Sequence, residues 1–275
     1  MLTSLQIEKA AARLLAVRAS LRTSPAGGLR SPLPSSSQLL PSPLAPQDES
    51  TAYAIQDTMI RALGPVAGWK VAGSRPHGPS CAPVFQDILH VGGDPLPWTI
   101  DPATEFECEI GFELGRDLPD QGRPYPSEEV AAAIRATRVT VELLAPRFQG
   151  SASQSDRWLG IAEGQACGAL IVGGQADNGF MDVDRPRQPV RIEADGVVLH
   201  KGVGGNALPR LLPLLVWLAN HLRGRDWSLK EGQFITTGSC TGKHPWGDAS
   251  RIVVNFEGVG ELTVTHSLRL PGTND

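Results

Sequence analysis

Ten residues constrain this chain more than any others: Glu105-Phe-Glu-Cys-Glu-Ile-Gly-Phe-Glu-Leu114. Acidic and apolar side chains alternate along them, which is the period of an extended strand. Glu105, Glu107, Glu109 and Glu113 fall on one face, and Phe106, Cys108, Ile110, Phe112 and Leu114 on the other. Carboxylates two residues apart on a strand sit about 7 Å apart at their Cα atoms. At that range two charges repel by ~2 kcal/mol with an effective dielectric near 20. A fold bears such repulsion if the face is solvated or if a cation sits there, and the spacing alone leaves both open.

A further acid, Glu142, stands in Val139-Thr-Val-Glu-Leu-Leu144, among almost wholly apolar neighbours. An isolated buried charge costs several kcal/mol, so an acid in such a strand is expected to be paired or coordinated. Carboxylate ligands alone suit Mg²⁺ or Mn²⁺ far better than zinc. Lys70, in Gly68-Trp-Lys-Val-Ala-Gly-Ser74, either snorkels outward or faces a polar cavity. Facing a metal-bound carboxylate, it would bind substrate charge or move protons. Gly232-Gln-Phe-Ile-Thr-Thr-Gly-Ser239 reads as a strand running into a turn, one that can hold an oxyanion and equally an ordinary β-turn. No H-x-x-x-H, G-x-S-x-G or strand-following G-x-G-x-x-G motif is present, so zinc-protease, hydrolase-triad and dinucleotide readings have no support.

Periodicity predicts helices over residues 3–20, after Asp48-Glu49 as far as Gly64-Pro65, over Ser127–Thr137 and over Leu211–Leu222. Strands are predicted at 68–72, 105–114, 139–144, 169–172, 234–237, 250–256 and 261–267. A hairpin joins 189–193 to 197–200 through Ala194-Asp-Gly196. Strands without strict alternation with helices predict a mixed sheet. The expected organisation is an N-terminal helical region, residues 1–66, with a Pro/Ser-rich linker at 22–47, and a catalytic mixed-β domain at 67–272. A net charge of −4 argues against broad nucleic-acid binding. The most apolar run, Leu208–Ala219, is broken by Pro209, Arg210 and Pro213 and falls short of the ~20 residues a membrane helix needs. The four scattered cysteines form no C-x-x-C pair, which fits reduced, packed thiols in a cytoplasmic protein. The Arg- and Ser-rich N-terminal stretch leaves an organelle-targeting segment as the alternative.

Several stretches taken in order give these pieces a common pattern. They are Ala52-Tyr-Ala-Ile-Gln56, Gly68-Trp-Lys-Val71, Phe85-Gln-Asp87, Glu107-Cys-Glu-Ile110 with Gly115-Arg-Asp-Leu-Pro119, and Val141-Glu-Leu143. Gly164-Gln-Ala-Cys-Gly168, Ile171-Val-Gly-Gly174, Val216-Trp-Leu-Ala219, Phe234-Ile-Thr-Thr-Gly238 and Glu257-Gly-Val-Gly260 follow. In order and spacing the chain resembles the fumarylacetoacetate hydrolase superfamily, and within it the branch of 2-oxopent-4-enoate hydratases and 4-oxalocrotonate decarboxylases. The resemblance implies an α+β fold, a mixed β roll with peripheral helices and a small N-terminal helical region. It implies Mg²⁺ or Mn²⁺ held by Glu107, Glu109 and Glu142, Lys70 as catalytic residue, and Gln165 and Thr237 as substrate-binding residues.

The implied activity is hydration of a small 2-hydroxy-2,4-dienoic or 2-oxo-4-enoic acid in aromatic meta-cleavage catabolism, by a homo-oligomer. Decarboxylation of a 2-oxo diacid at the same site, a non-catalytic partner subunit, and a complex with a related decarboxylase are the alternatives it carries. The chain departs from the family pattern at two places. Ser80-Cys-Ala82 stands where an Asp-Phe-Gly-like stretch is usual, and Pro209-Arg-Leu211 where Gly-His-Pro is usual.

Overall fold

The carboxylate strand lies in the middle of the larger of two sheets in the computed structural model, which describes residues 2–22, 33–74, 78–150, 153–173, 179–204 and 210–267. The helices are α1 (Ser4–Arg22), α2 (Ser36–Leu39), α3 (Glu49–Leu63), α4 (Ser127–Ala131), α5 (Gln154–Glu163) and α6 (Leu212–Arg223). The strands are β1 (Val66–Ser74), β2 (Gly78–Phe85), β3 (Leu89–Val91), β4 (Glu105–Leu114), β5 (Ile134–Leu144) and β6 (Cys167–Val172). After these come β7 (Pro189–Ala194), β8 (Val197–Val203), β9 (Phe234–Thr236), β10 (Lys243–Pro245), β11 (Arg251–Phe256) and β12 (Gly260–Thr265). The larger sheet runs β2-β1-β9-β4-β5-β6-β3, with β10 also paired to β4; the smaller runs β12-β11-β7-β8. Parallel pairs (β1 with β9, β3 with β6) and antiparallel pairs share the larger sheet, so it is mixed as expected.

The apolar face of β4 is the heart of the core: Phe106, Cys108, Ile110, Phe112 and Leu114 are all fully buried. The smaller sheet closes against it where β12 and β11 meet β5. On the outside, α1 packs on α3 and α3 on α5. Asp48 caps α3 through the Thr51 amide (2.7 Å), and Gly64, at φ +93°, ends it. Thr3 caps α1, whose Ala10, Ala11 and Leu14 are buried while Leu5 is exposed. The expected linker lies partly outside the described residues; its described part carries α2 and buries Leu39 and Leu40.

Two local readings change. The helix expected over Ser127–Thr137 is only the short α4. From Ile134 the chain is strand, because Ile134-Arg-Ala-Thr-Arg-Val-Thr-Val alternates and pairs along the whole of β4. Helix α5, capped by Ser153 on the Asp156 amide (3.2 Å), went unpredicted because Gly160 interrupts its pattern. All four cysteines are free and buried, as expected.

Candidate functional site: a carboxylate and lysine cluster on the central strands

The register of the central strands brings the predicted residues together. Glu107 on β4 stands directly opposite Glu142 on β5, and Glu109 is opposite Thr140. Like charges facing each other across an antiparallel pair are destabilising, and these are not left to solvent: Glu109 and Glu142 are fully buried and Glu107 is partly buried. One carboxylate oxygen from each of the three lies within 4.8 Å of the other two. The stripe therefore divides. Glu113 is taken by Arg135 and Arg138, Glu105 by Lys243 (3.5 Å), and Glu107 and Glu109 turn toward Glu142.

Lys70 reaches this cluster from β1. Its ammonium donates to Glu142 and to the Gln165 carbonyl (2.8 Å), and its side chain is nearly buried. Burial alone would lower the Lys70 pKa, but Glu142 and Glu109 raise it above the ordinary lysine value, so it stays an ammonium. Burial pushes Glu142 up to about 7, and the Glu109 and Glu107 charges push the same way against the opposing pull of Lys70. Glu107 is also raised, by burial first and then by Glu109. Three carboxylates facing one ammonium leave the cluster with surplus negative charge.

Glu109 is held by the strand that follows. The chain takes seven steps from Thr236 to Lys243 while β4 takes four from Gly111 to Glu107, so residues 237–242 bulge away from the ladder. In that bulge the Gly238 amide donates to Glu109 Oε2 (2.8 Å), as does the Thr236 hydroxyl. The Thr237 hydroxyl is committed to the Ile110 carbonyl (2.6 Å) and is buried. Glycine is required at position 111 of the stripe, since a Cβ there would lie 2.7 Å from Thr140 Cγ2 and 2.9 Å from the Ile235 carbonyl.

Gln165 sits in a turn where Gly164, Gln165 and Ala166 are all left-handed, at φ +99°, +57° and +57°. For each of the two non-glycine residues this costs about 1–2 kcal/mol. Besides offering its carbonyl to Lys70, Gln165 donates through Nε2 to Ser80 Oγ (2.8 Å). Ser80, at the place where an acidic residue was expected, is thus joined to Lys70 through one glutamine. Sequence reading missed Arg185: fully buried, it donates to the carbonyls of Thr237 (3.2 Å), Gly238 and Ser239 (3.3 Å) and so braces the bulge that grips Glu109. Its signal, one of two arginines in Asp184-Arg-Pro-Arg187, resembles any exposed turn.

The residues fit a hard cation. Glu109 Oε1 and Glu142 Oε2 are buried without a hydrogen-bond partner among the described residues. Orphaned carboxylate oxygens in a cluster of surplus negative charge are the donor set that Mg²⁺, Mn²⁺ or Ca²⁺ prefers.

Known proteins share sequence and fold with this chain. No family model matches the chain. The 2-keto-4-pentenoate hydratase of Burkholderia vietnamiensis strain G4 is 24% identical over 230 residues, covering 79% of this chain and 86% of that one. The 4-oxalocrotonate decarboxylase of Pseudomonas sp. strain CF600 is 29% identical over 155 residues, covering 56% and 57%. Among solved structures, 4-oxalocrotonate decarboxylase from Pseudomonas putida G7, complexed with magnesium and adipate, superposes with a TM-score of 0.75 at 21% identity over 97% of this chain and 99% of that one. Fumarylacetoacetate hydrolase from Exiguobacterium antarcticum superposes with a TM-score of 0.50 at 15% identity over 75% and 76%. In sequence the chain is similar to 2-keto-4-pentenoate hydratases and 4-oxalocrotonate decarboxylases, and its fold, a mixed sheet with peripheral helices, is that of the fumarylacetoacetate hydrolase family.

Proposed function

We propose that this protein is a metal-dependent hydro-lyase that adds water to a 2-hydroxy-2,4-dienoate, or its 2-oxo-4-enoate tautomer, to give a 4-hydroxy-2-oxo acid in aromatic catabolism. The observation that carries the reading is the convergence of Glu107, Glu109 and Glu142 beside the buried ammonium of Lys70. Hydratase relatives that align over most of the chain support it. Glu107, Glu109 and Glu142 would hold Mg²⁺ or Mn²⁺. When bound, such an ion supplies Lewis acidity toward the carboxylate and 2-oxygen of a 2-oxo acid.

The chain's own residues do the rest. Lys70, kept cationic by its neighbours, balances charge developing on the substrate oxygens and donates a proton. Gly238 and Thr236 fix Glu109, so the carboxylate cluster is preorganised before substrate arrives. Gln165 and Thr237 belong to the two turns that flank the substrate in this reading. In the net reaction a proton reaches a remote carbon of the dienol, giving the conjugated ketone. One water then adds, its hydroxyl to C4 and its proton to C3. The catalytic unit is residues 67–272 with residues 1–66 as a helical cover, and the working form is a cytoplasmic homo-oligomer.

A second reading, decarboxylation of a 2-oxo diacid on the same site, is favoured by one observation: Ser80, not a carboxylate, faces Gln165. Incubation with Mg²⁺ and each substrate separates the two. The hydratase reading expects loss of the dienoate absorbance with formation of 4-hydroxy-2-oxo acid, and no CO₂ from 4-oxalocrotonate. CO₂ release without hydration would replace it with the second reading. Loss of turnover in Glu107→Gln would exclude a non-catalytic partner role.

A further inference from the structure

Arg147 and Glu163 form an ion pair (2.5 Å) that is almost wholly buried and stands outside the carboxylate cluster. A buried pair of this kind is weak evidence for stability, because desolvation offsets most of its attraction. What distinguishes this pair is where its remaining bonds land. Glu163 Oε1 accepts the amide of Ala166 (2.6 Å), and Arg147 Nη2 donates to the carbonyl of Cys167 (2.9 Å). Both contacts fall on the left-handed turn that carries Gln165.

The Ala166 amide and the Gln165 carbonyl belong to one planar peptide unit. One end of that rigid plate is gripped by Glu163, and the other receives the Lys70 ammonium at 2.8 Å. Turning the plate would break both bonds together. A carboxylate on the N–H also polarises the peptide and strengthens its carbonyl as an acceptor. Left to itself the turn has reason to relax, since Gln165 and Ala166 both occupy a region that L residues avoid. From this we infer that Arg147 and Glu163 are a positioning pair for Lys70, holding the strained peptide whose carbonyl fixes the ammonium. The inference rests on Lys70 acting in the reaction proposed above.

The test compares wild type with Glu163→Gln and with the double variant Arg147→Met/Glu163→Met, which removes both charges and leaves neither buried alone. Each is subjected to reductive methylation, with labelling at Lys70 followed by mass spectrometry against the exposed Lys201 and Lys243, and kcat and KM are measured with Mg²⁺ and the dienoate. Lys70 in the wild type should label about tenfold or more slowly than the exposed lysines, as expected of a buried, bonded group. In the double variant its labelling should rise by about fivefold or more, and kcat should fall by about tenfold to a hundredfold with KM within about threefold, the signature of a misplaced catalytic group. Glu163→Gln should fall between, because glutamine keeps an acceptor for the Ala166 amide. It carries the test by the same criteria should the double variant not fold. A folded variant with Lys70 labelled at the wild-type rate and kcat unchanged overturns the inference while leaving the hydratase reading intact. If the wild type turns over no dienoate, the labelling still decides whether the pair holds Lys70.

Discussion

Replacing Glu107 by glutamine should make the metal-free protein more stable while removing its response to metal. Glu107 has no hydrogen bond to lose among the described residues, and it faces Glu142 directly across the ladder with Glu109 on the same strand face. Two unit charges 4.8 Å apart, the outer limit of the cluster, repel by about 3.5 kcal/mol at an effective dielectric of 20. Partial exposure of Glu107 and the neighbouring Lys70 reduce that, so relief of about 1–2 kcal/mol is the expected size. For a chain of this length it corresponds to a rise of about 2–8 °C in the Tm of chelator-treated protein. A cation at 100 times its Kd stabilises by about 2.7 kcal/mol, so Mg²⁺ should raise the wild-type Tm by about 5–10 °C and the variant's by a small fraction of that. Scanning calorimetry at pH 8.5, where Glu142 is ionised, with chelator and then with excess Mg²⁺, reads both numbers. If Glu107→Gln melts below the wild type in chelator, and both proteins gain equally from Mg²⁺, the surplus-charge reasoning is wrong.

Other expectations follow from the same geometry. The folded-state pKa of Glu142 lies above its unfolded value, so its contribution to the stability of metal-free protein is fully present below pH 4.5 and is lost as pH rises to about 7. Urea midpoints measured across that window with chelator should fall, and added Mg²⁺ should flatten the slope; a rising slope in Lys70→Met, where no ammonium opposes the carboxylates, would contradict the assignment. Lys70→Met itself leaves Glu142 buried without its cation, a loss of about 3–5 kcal/mol in the ionised state. Turnover should drop by about 10²–10⁴-fold. The double variant Lys70→Met/Glu142→Gln should recover most of the stability and none of the turnover, as denaturant melts and single-substrate kinetics would show. All four cysteines are buried, and burial pushes the Cys81 thiol up to about 11, so Ellman's reagent at pH 8 should label none in the native protein and four once it is unfolded; prompt labelling of any one would mean that the core opens readily.

What was legible in the sequence, and what was not, follows from how far each signal reaches along the chain. The β4 alternation is local, so strand, faces and buried core could be read from ten residues. The convergence of Glu142 with Glu107 could not, because it depends on register between two strands; only the cost of an acid among apolar neighbours pointed to it. Glu113 shows the limit of the local pattern. By spacing it belongs with Glu107 and Glu109, yet Arg135 and Arg138 on the paired strand claim it, and no rule of alternation separates the three. The extent of α4 was misjudged because acidic residues after Ser127 mark a helix start whatever follows, and only the ladder to β4 shows that the helix stops within five residues. Arg185, Arg147 and Glu163 were invisible for a related reason: each acts on backbone carbonyls or amides, and a backbone group has no residue identity to read. The three carboxylates and the lysine are therefore legible as chemistry, while the groups that aim them are encoded in turns and a bulge. A relative that keeps the four charged residues but rebuilds the 164–167 turn or the 237–242 bulge should hold its cation and mis-set its lysine or Glu109.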